Sequence, residues 1–376
     1  MVYNKYGFLQ PLIDNRTCIH CHLCEKTCPV IAPSKQESCV PAKAFSAVIR
    51  DNQILQRSSS GGAFWVFASS VIERGGVVFG ACFDGIHVKH GYTETLEGLS
   101  AFQGSKYVQC EVGNAFREVK VFLEQGREVL FTGTPCQVAG LKHYLRKKQP
   151  NLLTIDLLCR GVPSPKVWER YIEEKLQELE GHSINDIKFR TKSPSYSSPI
   201  YSYVLKFSYV TQKNERKDFW EDCIKNPYYS YFMHHNFRPS CFRCHFRNSY
   251  SSGADITIGD AISDSSFGKE GDNNVSTIVI HSERGNEAFD AVSKTILYEN
   301  QDLLTLDKNY QSSIRTAYWD WLRTPWELSS YLAMKYPLEK VRRVYETPSL
   351  FIRAFCYIKS IIMLFATRGS KSRCAF

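Results

Sequence analysis

The chain has 376 residues, of which 43% are hydrophobic and 23% charged, and its net charge is +9. This length allows two or three domains with a sizeable core, and the composition excludes an intrinsically disordered protein. The excess positive charge lies at the carboxyl terminus, where residues 331–376 hold nine Lys and Arg against two Glu. The rest is nearly neutral and has no basic–aromatic RNA motif, so we expect no nucleic acid partner.

Cysteine is frequent, with fourteen residues, while residues 1–15 show no basic segment followed by an apolar run of the secretory type. Disulfides are rare in a reducing cytosol, and cysteines there are more often metal ligands or free thiols. The sequence therefore predicts a cytoplasmic protein with reduced or metal-bound cysteines.

The first motif along the chain is a C-x2-C-x2-C-x3-C-P run, which is the spacing of bacterial ferredoxins. Its candidate ligands are Cys18, Cys21, Cys24 and Cys28. We predict a ferredoxin-type 4Fe–4S module over residues 1–48, with His20 and His22 exposed to solvent.

This module is shorter than a two-cluster ferredoxin, in which the fourth cysteine of such a run binds the other cluster. Only one run is present, so Cys28 lacks its usual cluster and the other three cysteines lack their usual fourth ligand. Cys39 is a candidate substitute. A one-cluster module, a start codon placed too late and a module without a cluster all remain open.

Beyond the module, apolar strand-like runs alternate with helical segments. The predicted strands are 75–81, 128–131, 152–158, 254–260 and 277–280, and the predicted helices are 63–74, 137–145, 166–180 and 285–292. Residues 186–220 are predicted to be extended, as in a hairpin. This alternation indicates an α/β fold with a mixed sheet. We divide it into 49–150, 151–320 and a basic helical tail, 321–376.

A second set of cysteines is dispersed over three predicted loops. Cys136 and Cys159 each follow a buried strand, where ligands bind in α/β sheets, and Cys241 and Cys244 form a C-x2-C pair. Together they would supply four thiolates for a second cubane or for tetrahedral zinc. A buried cysteine at a strand end is also often a small apolar side chain, so the spacing alone leaves both interpretations open.

Other candidates carry weaker patterns. His234, His235 and His245 border the C-x2-C pair, but their spacing fits no zinc finger. The remaining single cysteines are predicted to be structural thiols: Cys82, Cys110, Cys223, Cys356 and Cys374.

Several short motifs occur in one order and together are specific. They are Ser58–Gly62, Gly75–Ala81, Gly104–Gln109, Val129–Gln137, Cys159–Pro165, Arg238–Cys244 and Asp255–Asp260. Over about residues 10–300 the chain resembles the coenzyme F420 hydrogenase/dehydrogenase beta-subunit family. The resemblance implies an iron–sulfur flavoprotein oxidoreductase that carries FAD and passes electrons between a two-electron carrier and one-electron centres.

The resemblance also implies the site residues. The dispersed cysteines, Cys136, Cys159, Cys241 and Cys244, would bind a cluster. The flavin would be lined by Ser58, Ser59, Ser60, Gly61, Gly62, Gly104, Ser105, Lys106, Tyr107, Thr132, Gly133 and Thr134. Turns rich in Gly and Ser at helix starts present N–H groups to a pyrophosphate, although a tight turn and a surface lysine would look the same in sequence.

The chain departs from the family pattern in two places. Arg160 stands where the family has a histidine, and Asp260-Ala261 replaces an aromatic ending. Family members without hydrogenase partners are often associated with cell-surface polysaccharide synthesis. The alternatives are therefore a non-redox scaffold of polysaccharide assembly and a zinc-stabilised structural protein. For the oxidoreductase we expect a redox partner protein or a reduced carrier as partner.

The end of the tail combines apolar residues at helical spacing with basic residues over 349–376. The segment is too short and too charged for a transmembrane span. It is typical either of a basic amphipathic helix on an anionic membrane or of a helix packed on the core.

Overall fold

The computed structural model describes residues 1–31, 43–192, 204–222, 225–229, 237–246, 252–261, 264–268, 274–306 and 326–341. The strands are β1 (Val2–Tyr3), β2 (Leu9–Gln10), β3 (Lys43–Ile49), β4 (Val77–Asp84), β5 (His87–Thr93), β6 (Val129–Gly133), β7 (Leu152–Leu157), β8 (Gly181–Thr191), β9 (Val204–Thr211), β10 (Arg216–Asp222), β11 (Ile256–Asp260), β12 (Ser276–Ile280) and β13 (Ile296–Gln301). The helices are α1 (Leu23–Thr27), α2 (Asn52–Arg57), α3 (Ala63–Glu73), α4 (Ala115–Glu124), α5 (Pro135–Leu145), α6 (Pro165–Glu178), α7 (Glu283–Val292) and α8 (Trp326–Ala333).

Eight of these strands form one mixed sheet in the order β13-β3-β12-β11-β7-β6-β4-β5. The four central strands, β11, β7, β6 and β4, are parallel to one another, and the flanking pairs are antiparallel. The α/β class with a mixed sheet is thereby confirmed. Because the central strands run the same way, their carboxyl ends lie along one edge of the sheet, which we call the carboxyl edge.

The central strands are covered on both faces, which explains their continuous apolar sequences. In β6, Leu130 packs with the core on the α3 and α7 side, while the next residue, Phe131, packs with α4 and α5 on the other side. All five residues of β6 are buried. A strand buried in this way holds the segment that follows it, residues 134–136, in a fixed position.

A second sheet contains β10-β9-β8, all antiparallel. Residues 186–220 therefore include extended segments as predicted, but these belong to three strands rather than to one hairpin. Helix α6 packs on this sheet through an aromatic core in which the Trp168 and Phe189 ring centroids are 4.9 Å apart.

Side-chain hydrogen bonds connect the amino-terminal hairpin of β1 and β2 to the rest of the protein. Gln109 Nε2 donates to Leu9 O at 2.9 Å, and Leu9 N donates to Gln109 Oε1 at 2.9 Å. Ser164 Oγ donates to Gly7 O at 2.9 Å. The chain entering the ferredoxin-type segment is thus anchored near the elements that carry Cys110 and Cys159.

Among the described residues, no helix is both long enough and apolar enough to cross a membrane. The predicted tail helix over 349–376 lies outside the described residues, as do Cys39, Cys223, Cys356, Cys374, His234 and His235. The limits of the proposed domains stay a prediction.

Candidate functional site

Helix α5 begins at the carboxyl end of β6, two residues earlier than the sequence predicts. Pro135 occupies its first turn, and the Thr134 backbone N–H donates to Gln137 Oε1 at 2.9 Å, as in a capping box. Cys136 therefore lies in the first turn of an 11-residue helix, where its side chain is exposed. The amino-terminal end of a helix favours negative charge, so this position suits a thiolate ligand.

Cys159 follows β7, the strand beside β6 in the sheet. The backbone stays in sheet register for one residue more, since Leu158 N donates to Ile258 O at 2.9 Å. The Cys159 thiol has a pKa raised well above the usual value, first because it is buried and then because the other three dispersed cysteines lie close enough to repel its thiolate. The fold has therefore brought Cys159 to the other three.

The C-x2-C pair reaches the same edge through a short 3-10 turn, Pro239–Arg243. Arg238 N donates to Val162 O at 2.9 Å, and a side chain at Gly161, which has φ +144°, would place its Cβ 2.6 Å from the Phe237 ring. This close contact fastens the segment of the pair to the residues after Cys159. The pKa of the Cys241 thiol is raised to about 12, mainly by burial; the hydrogen bond to the Val162 backbone opposes this shift, and nearby Cys136 and Cys244 add to it.

Cys136, Cys159, Cys241 and Cys244 thus lie in the same neighbourhood at the carboxyl edge, and we call them the carboxyl-edge cysteine set. Their charges interact, although they come from three separate loops. Thiolates are soft ligands that suit iron–sulfur clusters and zinc, so the donor set fits either group. In the described segments, no three His, Cys, Asp or Glu side chains have the arrangement of a site for one metal ion.

The ferredoxin-type segment, residues 18–29, has a different environment. Cys21 and Cys24 are exposed, and Cys18 and Cys28 are half-buried. His20 and His22 both have positive φ, 53° and 57°, and turn the chain between the cysteines with their side chains exposed to solvent. The segment lies against α5, and Pro29 Cδ is 3.8 Å from where a Cβ on Gly140 would stand. It therefore rests on the helix that carries Cys136.

The predicted flavin-binding turns lie next to each other. Ser105 N donates to Ser59 Oγ at 2.8 Å, and Gln103 Nε2 donates to Ser58 Oγ at 2.9 Å. Gly104 has φ +84°, and among the described residues only Ser59 Oγ lies within 4 Å of its Cβ position, so the backbone can be approached there. These contacts bring 58–62 and 104–107 together.

Other residues of the predicted flavin set have structural roles. A Cβ on Gly61 would lie 2.3 Å from Ala47 O, and one on Gly62 would lie 2.6 Å from Ile49, so both glycines permit packing on β3. Ser60 Oγ donates to Val275 O at 2.6 Å, and Thr132 Oγ1 donates to Phe79 O at 2.9 Å. The Ser60 and Thr132 side chains therefore stabilise the main sheet and the turns beside it through hydrogen bonds to backbone carbonyls.

Lys106 has the most unusual environment of the predicted residues. Its amine donates to Gln103 O at 3.0 Å and to Gly104 O at 3.2 Å. Burial lowers its pKa to about 8, and neighbouring Cys82 and Cys110 oppose this shift only partly. The side chain is nonetheless partly accessible, and we call its surroundings the recess at Lys106. An anion placed there would restore its charge.

The sequence did not reveal the other polar residues near this recess. Arg190 of β8 donates to both carboxylate oxygens of Asp260 at 2.7 and 2.8 Å. Tyr107 is hydrogen-bonded to Arg190, and burial raises the pKa of its phenol. The Gly-Asp ending of β11 could have signalled Asp260, but nothing in the sequence placed Arg190 opposite it, because the pairing joins two sheets.

Residues whose role the sequence left open differ in their exposure to solvent. Arg160 and His245 are exposed, and Ala261 is buried. Cys82 is buried, as expected of a structural thiol, whereas Cys110 is only half-buried and its Sγ lies 3.2 Å from His90 Nδ1. Cys110 therefore takes part in a polar contact that its sequence context did not indicate.

One solved structure with a similar chain is that of the xenon-derivatised F420-reducing [NiFe] hydrogenase complex from Methanosarcina barkeri. The similarity has a TM-score of 0.47 and 18% sequence identity, and it covers 75% of this chain and 91% of that chain. No curated protein matches this chain.

The segment that holds the carboxyl-edge cysteine set matches a known family. Residues 126–303 match the family model that describes the C-terminal part of the coenzyme F420 hydrogenase/dehydrogenase beta subunit. All four cysteines of the set fall within this segment. Over this segment, the resemblance to the coenzyme F420 hydrogenase/dehydrogenase beta-subunit family that the motifs predicted is confirmed.

Proposed function

We propose that this protein is an iron–sulfur flavoprotein oxidoreductase that passes electrons between a reduced two-electron carrier and a redox partner protein. The observation that supports the proposal is the carboxyl-edge cysteine set: four thiols from three loops lie close enough for their charges to interact, at the edge of the sheet where α/β proteins bind ligands. They do so inside the segment that matches the redox family.

The carboxyl-edge cysteine set would hold a 4Fe–4S cluster. Cys136 is presented by the first turn of α5, and Cys159 is fixed by sheet register. The Gly161–Phe237 contact holds the C-x2-C pair in reach of both. Cys159 and Cys241 are half-buried and would shield one side of the cluster from solvent, while exposed Cys136 leaves another side open for exchange of electrons.

FAD would occupy the recess at Lys106. Flavin supplies the chemistry of accepting two electrons together and releasing them singly. Lys106 would carry its positive charge beside a phosphate or an anionic ring, and the backbone at Gly104 and Ser105 would allow close approach. Arg190, held by Asp260, adds a second cationic group near Tyr107.

The ferredoxin-type segment would carry electrons onward. Because it rests on α5 through Pro29, the helix that bears Cys136 connects the two cysteine regions. The second cluster would be bound by Cys18, Cys21, Cys24 and Cys28, with Cys39 as the alternative fourth ligand. The protein would then contain two clusters, or one if this segment does not bind iron.

Zinc is the second candidate for the carboxyl-edge cysteine set, because four thiols also suit a closed tetrahedral zinc site. A link with cell-surface polysaccharide synthesis and a non-redox scaffold role stay predictions on which no described feature bears. The cytoplasmic location also stays a prediction.

Anaerobic purification followed by iron, sulfide, zinc and flavin analysis tests the proposal, together with EPR of the dithionite-reduced protein. About four or eight irons per chain with one FAD would support it, and the two iron values distinguish one cluster from two. A folded protein with zinc alone would support the structural alternative. A folded protein without metal and without flavin would contradict both.

The basic tail would add peripheral contact with an anionic membrane. Deleting residues 349–376 should move the protein from the membrane fraction to the supernatant in cell fractionation. Unchanged membrane association after the deletion would contradict a role of the tail as anchor.

A further inference from the structure

A continuous polar chain joins the neighbourhood of Lys106 to Cys136. Cys110 Sγ is 3.2 Å from His90 Nδ1, and the Gln137 side chain is hydrogen-bonded to Cys110. Gln137 Oε1 accepts from Thr134 N at 2.9 Å and from Thr134 Oγ1 at 3.0 Å. Thr134 Oγ1 is in turn 3.2 Å from Cys136 Sγ.

The hydrogen positions along this series of polar contacts follow from the contact between His90 and Thr132. His90 Nε2 lies 3.1 Å from Thr132 O, a carbonyl that can only accept, so Nε2 carries the ring proton. His90 Nδ1 must then accept, and it receives the thiol proton of Cys110. The imidazole is fixed in this orientation by stacking on Phe131, with ring centroids 5.1 Å apart.

Both members of the His90–Cys110 pair are neutral near pH 7. Burial lowers the pKa of His90 to about 4, and burial raises the pKa of Cys110 to about 12. The pair is thus a fixed array of dipoles rather than a thiolate–imidazolium nucleophile. Since the Cys110 proton points to His90, its sulfur accepts from the Gln137 amide nitrogen.

This orientation turns the Gln137 carbonyl toward Thr134. The close approach is helped by Gly133, where a Cβ would lie 3.0 Å from Gln137 Oε1. Gln137 Oε1 keeps one donor, Thr134 N, whatever the Thr134 hydroxyl does. The hydroxyl can therefore point either to Gln137 Oε1 or to Cys136 Sγ.

A cysteine that binds metal is a thiolate and can only accept. We propose that Thr134 is a positioning residue whose hydroxyl donates to the Cys136 sulfur, and that Gln137 competes for that hydroxyl and so sets the strength of the bond. The proposal rests on the proposed cluster at the carboxyl-edge cysteine set. It gives the Thr-Pro-Cys-Gln sequence a role in tuning redox potential besides helix capping.

The sign of the effect follows from charge. Reduction adds negative charge to a cluster and its sulfurs, and hydrogen bonds to those sulfurs favour the reduced state. A stronger bond from Thr134 therefore raises the reduction potential, and its loss lowers it. Removing the competing Gln137 carbonyl should strengthen the bond.

The test compares three variants of the full-length, cluster-loaded protein: Thr134→Val, Thr134→Ser and Gln137→Leu. The cluster potential is measured by EPR-monitored redox titration, with iron content as a control for loading. Thr134→Val should shift the potential negative, Gln137→Leu should shift it positive, and Thr134→Ser should keep the wild-type value. Each shift should correspond to a roughly tenfold change in the equilibrium constant for reduction.

Opposite signs distinguish tuning from damage to the helix cap, because Thr134→Val and Gln137→Leu both weaken the cap. Shifts in the same direction, or wild-type potentials in both variants, would overturn the proposal while leaving the cluster assignment intact. If Thr134→Val fails to fold, the sign of the Gln137→Leu shift decides. A wild-type protein without this cluster would overturn the proposed function and the role of Thr134 together.

Discussion

The two cysteine regions of this protein differ in how they are encoded. The ferredoxin-type segment gathers four cysteines within eleven residues of sequence, yet Cys21 and Cys24 are exposed and their surroundings are local turns. The carboxyl-edge cysteine set is dispersed along the chain, and the sheet assembles it around the half-buried residue Cys159. Local spacing identifies ligands of the first kind, whereas the second kind depends on strand order.

The largest expected effect is a loss of iron that differs between variants of the two cysteine regions. Cys159→Ser should remove about four irons per chain and the cluster at the carboxyl edge, because it deletes the most enclosed ligand. Cys21→Ser should remove only the iron of the ferredoxin-type segment. Iron analysis and EPR of the two variants measure this.

Cys82→Ser is the matched control, since Cys82 is buried but belongs to neither region. It should leave the iron content unchanged. Loss of all iron in the Cys21→Ser variant would show that the two regions do not load independently.

The next effect concerns the Gly161–Phe237 contact, which holds the C-x2-C pair near Cys159. Gly161→Ala would combine an unfavourable φ of +144° with a Cβ 2.6 Å from the Phe237 ring, so we expect a loss of about 2–4 kcal/mol in the free energy of unfolding. Gly126→Ala is the control, because its φ is +78° but no atom of the described part of the chain lies within 4 Å of its Cβ position. It should cost about 1 kcal/mol. Urea unfolding of both variants measures the difference, and equal losses would contradict the close contact.

A pH effect tests the recess at Lys106. Its folded pKa of about 8 is below the unfolded value, so the unfolded chain binds more protons between about pH 8 and 10.5, and stability rises with pH across that window. Lys106→Met removes this dependence. In flavin-free protein the variant should therefore be more stable than wild type at pH 7, by at most about 3 kcal/mol, and the advantage should disappear by about pH 10.5.

Denaturant midpoints from about pH 7 to 10.5 measure the effect of Lys106→Met, with Lys120→Met on the exposed surface of α4 as the control. Parallel pH profiles for wild type and Lys106→Met would contradict the enclosed position of Lys106.

The smallest effect concerns the contact between the two regions. Gly140→Leu would press on Phe116, which lies 3.5 Å from its Cβ position, and on Pro29, which lies 3.8 Å from it, and should loosen the ferredoxin-type segment from α5. Limited proteolysis should then cleave within residues 1–31 several-fold faster, while iron bound at the carboxyl edge stays constant. Unchanged cleavage would mean that Pro29 is not what holds the segment.

The sequence predicted the fold class, the four central strands of the main sheet and β12, because these strands are short apolar runs bounded by glycine and polar residues. It did not identify β3, β5 and β13 of the main sheet, helix α4 or the third strand of the second sheet. It also started α5 too late, since Pro135 at a helix start resembles a loop. The motif order pointed to the carboxyl-edge cysteine set, but only strand order brings Cys136 beside Cys159. The pairs Arg190–Asp260 and His90–Cys110 could not be predicted, because each joins segments that are distant in sequence.

The dispersion of the carboxyl-edge cysteine set also has a consequence for biogenesis. Its ligands run from Cys136 to Cys244, and the register that aligns Cys159 depends on β11, which follows them. A ribosome must therefore release the chain beyond β11 before the carboxyl-edge cysteine set can assemble. Residues 18–29, by contrast, emerge early and need no long-range pairing. In a cell, cofactor delivery to the carboxyl edge would be a post-translational event, and starvation for iron would leave newly made chains folded there but unloaded.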